Sequence, residues 1–210
     1  MKDLAAKSAK GAKKGEAWPM VRLGDVCEVA RGGSPRPIKD YITTSTDGIN
    51  WIKIGDVSPN GMYIESTSEK IKPSGLCKTR RVYNGDFLLS NSMSYGRPYI
   101  LKIDGCIHDG WLVLKGFKNI LEENFFYYLL RSELVQNQFD MFAHGSTVRN
   151  LNTKSVEEVK IPIPPLEVQR KIVERLEKEL GEADALKAAA ERVLKGAENL
   201  RKAILAEAFE

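Results

Sequence analysis

The last quarter of the chain constrains the fold most, because its apolar residues recur at the spacing of one long helix. Beyond Pro165 the sequence contains no further proline and no cluster of glycines. The apolar positions, which alternate between steps of three and four, are Val173, Leu176, Leu180, Ala183, Leu186, Ala190, Val193, Ala197, Leu200 and Ile204. This spacing predicts a helix with a single apolar stripe, and some 44 residues would extend on the order of 65 Å.

The stripe of this helix needs a partner. Its alternation slips by one step between Ala183 and Leu186, just after Gly181, so it consists of two segments that differ in phase. A small neighbouring domain cannot cover so long a stripe, and a second helix, from another copy or another unit of the same kind, is implied. We therefore predict a spacer and dimerisation helix over residues 165–210. The dimerisation residues would be Val173, Leu176, Leu180, Leu186, Val193, Leu200 and Ile204.

Residues 18–164 switch between short apolar runs and turn clusters, which is typical of an α+β domain with many short strands. Strands are predicted from Val26 to Ala30, Trp51 to Val57, Asp86 to Leu89, Pro98 to Ile103, Trp111 to Leu114 and Lys160 to Ile163. Helices are predicted from Leu121 to about Gln138, packed on the sheet, and from Thr153 to Val159. The glycines of the turn clusters Gly32-Gly33, Asp47-Gly48, Asn60-Gly61, Asn84-Gly85 and Asp104-Gly105 are expected to adopt positive φ.

Composition narrows the class of protein. A hydrophobic content of 42% and a charged content of 29% are typical of a soluble globular protein, and the net charge of +4 is mildly basic. The three cysteines, Cys27, Cys77 and Cys106, are too widely spaced for a disulfide framework or a zinc site, which favours the reducing cytoplasm. Residues 1–17 carry lysines among alanine and glycine, and we predict a disordered basic arm there.

Motifs for catalysis are weak. No phosphate-binding glycine loop is present, and neither the cofactor loop nor the catalytic tetrapeptide of an adenine methyltransferase is found, so we expect no cofactor. Asp140 followed by Glu158 and Lys160 has the form of a Mg²⁺-dependent nuclease motif, which leaves a nuclease as an alternative. His108 and Asp109 are adjacent, and in a strand their side chains would point to opposite faces.

Four loops of the α+β domain combine cationic, amide and small residues in the pattern expected of a DNA-binding surface. Arginine reads guanine, asparagine reads adenine, and hydroxyl groups bind phosphates. The candidate DNA-binding residues are Arg31, Ser34, Arg36, Lys78, Arg80, Arg81, Asn91, Ser94, Tyr95, Arg97, Ser146, Thr147, Arg149 and Asn150. A third alternative is a coiled-coil interaction protein that binds no DNA.

Several segments, taken in order, resemble one known family. They begin with Trp18 to Val26, continue with Gly55-Asp56-Val57 and Gly85 to Ser90, and close with Gly145 to Leu151 followed by Ile161 to Gln169. In this order they resemble the specificity subunit of type I restriction-modification systems, over nearly the whole stretch from Trp18 to Glu210.

The resemblance implies a target recognition domain over residues 18–164 that binds half of a split DNA site, with the long helix as spacer. It implies a non-catalytic subunit that directs an adenine-N6 DNA methyltransferase subunit and a restriction subunit to DNA. Most members carry two recognition domains and two helices, whereas this sequence carries one of each. Either two copies pair their helices as an antiparallel coiled coil in a homodimer, or the sequence is a fragment of a longer protein.

Overall fold

A computed structural model describes residues 18–58, 61–92, 94–144 and 150–209. The basic arm predicted over residues 1–17 therefore lies outside the described residues. The chain divides into two compact units, of which one ends at Gln169 and the other begins at Arg170. Because the first unit contains both strands and helices, the predicted α+β class is confirmed.

The strands of the first unit are short. In chain order they are β1 (Met20–Arg22), β2 (Glu28–Arg31), β3 (Ile42–Thr43), β4 (Ile49–Ile52), β5 (Tyr63–Ile64), β6 (Glu69–Ile71), β7 (Arg80–Val82), β8 (Phe87–Ser90), β9 (Pro98–Leu101), β10 (Gly105–Ile107), β11 (Trp111–Lys115) and β12 (Lys160–Pro162). Among the described residues they form two five-stranded sheets, ordered β3-β6-β4-β10-β7 and β2-β11-β8-β9-β5, and an antiparallel pair of β1 with β12. The predicted strands at β2, β8, β9, β11 and β12 are confirmed, with bounds shifted by at most two residues.

The main core of the first unit lies between the two five-stranded sheets. Ile52 and Ile107 of the first sheet pack in one buried cluster with Tyr99 and Trp111 of the second. The Tyr99 and Trp111 rings meet edge to face, with centroids 5.5 Å apart. Such a core fixes the two sheets relative to each other, because each face buries its apolar side chains only against the other.

Four α-helices complete the described chain: α1 (Glu123–Arg131), α2 (Glu133–His144), α3 (Thr153–Glu157) and α4 (Leu166–Phe209). As predicted, the helical segment packs on a sheet, with the Phe126 ring of α1 5.0 Å from the Phe87 ring of β8. The prediction of one helix from Leu121 to Gln138 was wrong. The chain is extended at Ser132, whose hydroxyl group donates to the carbonyl oxygen of Leu129 at 2.6 Å. Ser132 thus ends α1 and allows α2 to begin in a new direction.

Two further local predictions were wrong. The strand predicted from Trp51 to Val57 ends at Ile52, because a 3-10 turn follows, in which the Lys53 N–H donates to the Asp56 carboxylate at 2.8 Å. Of the glycines in the predicted turns, Gly85 has positive φ, at 82°, whereas the others do not: Gly32, Gly33, Gly48, Gly61 and Gly105.

Helix α4 begins directly after Pro165 and continues for 44 residues, as the apolar spacing predicted. Its later stripe residues are exposed: Leu186 and Val193 are each 73% exposed, and Leu200 is 63% exposed. Leu180 and Ile204 are also exposed, Leu176 is half-buried and Val173 is buried. The pairing of this stripe with a second helix stays a prediction. Across the described residues, no helix combines the length and apolarity that crossing a membrane requires.

Candidate nucleic-acid interface

The register of the strands brings several polar loops to one end of both sheets. In the second sheet, Trp111 lies opposite Ser90, so the start of β11 and the end of β8 share this end. In the first sheet, Ile107 pairs with both Ile52 and Arg80, which brings the end of β10 to the end of β4 and the start of β7. Residues 108–110 connect β10 directly to β11, so the two sheets share the same end. We call it the loop end.

Asp109 is the centre of the contacts at the loop end. Its Oδ1 atom accepts a hydrogen bond from the Ser34 hydroxyl group at 2.6 Å, and its Oδ2 atom lies 3.5 Å from the Arg36 guanidinium. Its backbone oxygen accepts from Nε of Arg31 at 3.1 Å and from Nδ2 of Asn91 at 2.9 Å. The hydrogen bond from Ser34 holds the pKa of Asp109 below its usual range, so the carboxylate is charged at neutral pH. Four of the predicted DNA-binding residues therefore meet on one residue.

Glycine at position 32 permits this convergence. Its N–H donates to the Trp111 carbonyl oxygen at 2.9 Å, and the N–H of Gly33 donates to the Ile107 carbonyl oxygen at 3.1 Å. A Cβ atom on Gly32 would collide with the backbone oxygen of His108. Because glycine has no Cβ atom, the segment carrying Ser34 and Arg36 can lie directly against residues 107–111.

Two more of the candidate cations join the loop end. Nε of Arg80 donates to the Arg31 carbonyl oxygen at 2.7 Å. Nζ of Lys78 donates to the Tyr41 hydroxyl group at 2.7 Å, and this hydrogen bond raises the pKa of Lys78. Arg81, in contrast, lies over the ring of Tyr83, which follows the opposite end of β7. Thr79, which follows Lys78, donates its hydroxyl group to the Ile107 carbonyl oxygen at 2.8 Å. The structure thus groups Arg80 and Lys78 with the loop end but not Arg81.

The segment after β8 carries the remaining described candidates. Asn91 is fully buried, and its backbone carbonyl oxygen accepts from the Leu151 N–H at 2.8 Å, so it supports the surface rather than lying on it. Asn150 forms a β-bridge with Ser92 and so adds residues 150–151 to the loop end.

Ser94, Tyr95 and Arg97 follow Asn91 in the same segment. The Ser94 carbonyl oxygen accepts from the Ser90 hydroxyl group at 2.6 Å, and the Tyr95 hydroxyl group donates to Asp140 at 2.9 Å. Arg97 is exposed. Ser146, Thr147 and Arg149 lie outside the described residues.

A cleft of about 980 Å³ opens at the loop end, and Arg36, Trp51, Lys53 and His108 contribute to its walls. The prediction that His108 and Asp109 point apart was wrong: both follow β10 in a turn, and Nδ1 of His108 lies 3.7 Å from Oδ1 of Asp109. Nε2 of His108 accepts from the Ile54 N–H at 3.0 Å, and burial lowers the pKa of the ring, which suits a neutral acceptor.

The residues of the nuclease alternative are occupied by other contacts. The Glu158 carboxylate pairs with Arg22 at 2.8 Å, and Asp140 accepts from the Tyr95 hydroxyl group. Over the described residues, no group of three or more His, Cys, Asp or Glu side chains is arranged to hold a metal ion.

The α+β unit brings cationic and hydroxyl side chains together at one end of its two sheets, and a long helix with an exposed apolar stripe follows it. This arrangement is typical of a recognition module. The model of the type I restriction modification DNA specificity domain matches residues 15–194, and the chain belongs to this family. The resemblance read from the sequence motifs is thereby confirmed.

Individual relatives agree with this assignment. The chain is 29% identical over 198 residues to the type I restriction enzyme EcoKI specificity subunit of Escherichia coli (strain K12), which covers 90% of this chain and 42% of that protein. It is similar to the crystal structure of the HsdS subunit from Thermoanaerobacter tengcongensis, with a TM-score of 0.65, 25% identity and coverage of 90% and 44%. A chain from a structural study of complex assembly and conformational transition of the type I R-M system gives a TM-score of 0.73, 26% identity and coverage of 98% and 49%. The chain spans less than half the length of these three relatives.

Proposed function

We propose that the chain is the sequence-specific DNA-binding specificity subunit of a type I restriction-modification system, with residues 18–164 as its target recognition domain. The observation that carries the proposal is the convergence of Arg31, Ser34, Arg36 and Arg80 at the loop end, around the Asp109 backbone and carboxylate. Guanidinium groups offer bidentate donors for guanine and for phosphates, and hydroxyl groups bind phosphate oxygens. Membership of the specificity domain family supports DNA as the ligand.

Asp109 has a definite role in this proposal. Its carboxylate contacts Ser34 and Arg36 and so holds both side chains in the orientation in which they can bind DNA. Its negative charge also offsets part of the local positive charge and so weakens attachment to phosphates of any sequence. Asp109 therefore favours discrimination between sequences over affinity for DNA in general.

The subunit is proposed to be non-catalytic. It would direct an adenine-N6 DNA methyltransferase subunit and a restriction subunit to a bipartite site, as the family resemblance implies; the related proteins are named as specificity subunits of type I restriction enzymes. The side chains of Asp140 and Glu158 are already held by Tyr95 and Arg22, so no observation favours the nuclease. The three cysteines are free thiols, which supports a location in the reducing cytoplasm.

The helix over residues 165–210 is proposed to act as the spacer between two recognition domains. Leu186, Val193 and Leu200 are each more than half exposed, and an antiparallel coiled coil with a second copy would remove them from water. Such a homodimer would present two loop ends on one DNA duplex and read a two-part palindromic site.

Binding to a pool of random-sequence duplexes, followed by selection and sequencing of the bound fraction, tests this function without knowledge of the target. We expect salt-dependent retardation and enrichment of a bipartite motif. Arg36→Gln should weaken the enrichment, whereas Arg192→Gln, the same charge change on the exposed face of α4, should leave it unchanged. If the protein retards no duplex at low salt, the proposal is refuted, and the alternative of a coiled-coil interaction protein that binds no DNA is favoured.

Asp109→Asn separates discrimination from affinity. The amide still accepts from Ser34 but loses the charge that faces Arg36. We expect tighter binding to random duplexes with a steeper salt dependence, and a weaker enriched motif. If Asp109→Asn enriches the same motif with the same salt dependence as the unaltered chain, Asp109 does not have the proposed role in discrimination.

A further inference from the structure

A second basic recess lies beside the loop end, where the segment before β9 meets helix α1. Its volume is about 270 Å³. It is lined by Gly61, Gly96, Arg97, Pro98, Tyr99, Arg131 and Gln136. Pro98 at the start of β9 pairs with Leu89 near the end of β8, so the recess adjoins the loop end. Arg131 was not among the candidates taken from the sequence, because it belongs to a helix rather than to a loop.

The two arginines of the recess are held together by the fold. Nε2 of Gln136 donates to the carbonyl oxygens of Gly96 at 2.8 Å and of Leu130 at 2.7 Å. These bonds tie the segment carrying Arg97 to the end of α1, where Arg131 is the last residue. Gly96 has φ of 78°, a conformation that favours glycine, and a Cβ atom there would come within 3.0 Å of the Phe139 ring.

Among the described residues, no carboxylate balances the charges of the two arginines in this recess. The Arg131 guanidinium lies over the Tyr127 ring, 5.4 Å from its centroid, and donates to the Tyr127 hydroxyl group. Tyr99, which is 2% exposed, also lines the recess; burial raises its pKa, and the nearby positive charges of Arg97 and Arg131 oppose that rise. In the described part of the chain neither Arg97 nor Arg131 has a carboxylate within 4.0 Å, and the Asp140 carboxylate of α2 accepts from Tyr95 instead.

Two guanidinium groups that line one recess repel each other unless an anion lies between them. An oxyanion with several acceptor atoms suits them best, because each guanidinium is a planar fork of donors. We propose that the recess binds a phosphate group, with Arg97 and Arg131 as its two cationic ligands. The source that we assign is a backbone phosphate of the DNA duplex whose bases lie at the loop end, and this assignment rests on the proposed function. It extends the protein's contact with DNA from the loops onto helix α1.

The first experiment measures how binding of the full chain to random-sequence duplexes depends on salt. Each phosphate contact that is lost reduces the slope of log Kobs against log salt concentration by about 0.9. Because both arginines hold the same phosphate, the double variant Arg97→Gln/Arg131→Gln should reduce the slope by about this amount, and each single variant should reduce it by part of that amount. Arg131→Lys keeps the charge and should keep the slope, whereas a role limited to packing on Tyr127 would not be rescued by lysine. Arg192→Gln is the matched control and should bind like the unaltered chain.

The second experiment uses inorganic phosphate alone. Thermal unfolding is compared in sodium phosphate and in sodium chloride at equal ionic strength. Stabilisation by phosphate that Arg131→Gln abolishes supports the recess even if the chain retards no DNA, in which case the proposed function fails and a free oxyanion is the ligand. The proposal is overturned if Arg131→Gln and Arg97→Gln match the Arg192→Gln control in salt slope and phosphate stabilises all of the proteins equally.

Discussion

Gln169 offers the most exacting test of how the first unit is held together. Its side chain is fully buried and makes three hydrogen bonds. Oε1 accepts from the Glu122 N–H at 2.7 Å, while Nε2 donates to the carbonyl oxygens of Ile120 at 2.9 Å and Pro164 at 2.8 Å. The amide of Gln169, in the first turn of α4, thus joins this helix to the segment before α1 and to Pro164.

Gln169→Met replaces the amide with an apolar side chain of similar length, so that the bonds are lost with little change in packing. A hydrogen bond contributes about 1 kcal/mol net, and the three backbone groups left behind in the interior lose their Gln169 partner. We therefore expect the free energy of unfolding to fall by about 3 kcal/mol.

Urea titration followed by tryptophan fluorescence measures this loss. Trp18, Trp51 and Trp111 all belong to the unit that ends at Gln169, so the signal reports on that unit and not on the rest of α4. The control is Arg170→Met, which introduces the same residue at the exposed neighbouring position and should change the free energy of unfolding by no more than about 0.5 kcal/mol. A loss of less than about 1 kcal/mol for Gln169→Met would refute the reasoning, because water would then be replacing the amide.

Three further predictions follow from burial, backbone conformation and the exposed stripe. At pH 8 one thiol per folded chain, that of Cys77, should react with Ellman's reagent, because Cys77 is exposed. Cys27 and Cys106 should not react, because burial raises the pKa of Cys27 to about 12 and that of Cys106 to about 11. All three thiols should react in denaturant. Rapid reaction of all three in the folded chain would contradict this. Gly85→Ala should lower stability by about 1 kcal/mol in the same urea titration, because φ is positive there, and an unchanged midpoint would contradict it. Leu200→Asp should shift the proposed homodimer towards monomer in light scattering, and an equally dimeric variant would exclude this part of α4 from the interface.

The thiols also give the stability of the fold a dependence on alkaline pH. The pKa of Cys27 is raised from 9.0 to about 12 because burial disfavours the thiolate. The unfolded chain therefore releases this proton at lower pH than the folded chain does. The contribution is fully present below about pH 9 and is lost as the pH rises towards the folded value.

Elements with a sustained pattern could be predicted from the sequence, and very short ones could not. Helix α4 repeats its apolar spacing over many turns, and strands such as β11 have a continuous apolar run. Strands β3 and β5 have two residues each, too few for any periodicity, and depend on partners distant in the chain. The break at Ser132 was missed because apolar residues continue on both sides of it.

The candidate interface was predictable in its loops but not in its organisation. Arginine, serine and glycine near Arg31 and Arg36 have a recognisable composition. Asp109 was missed as an organising residue because it lies more than seventy positions from Arg31 in the chain, and only strand register brings the two together. Arg131 was missed for a related reason, since nothing in a helix sequence indicates which loop its last residue will meet.

The loop end also bears on how such a protein changes over time. The strand pairings, the core between the sheets and the Gln169 amide lie outside the segments at 32–37, 91–97 and 108–110. Substitutions or altered lengths in those segments can therefore change what the surface contacts while the sheets keep their register. Contact residues and fold stability are then free to vary independently, except at positions such as Gly32, Asn91, Gly96 and Asp109, which the fold itself requires.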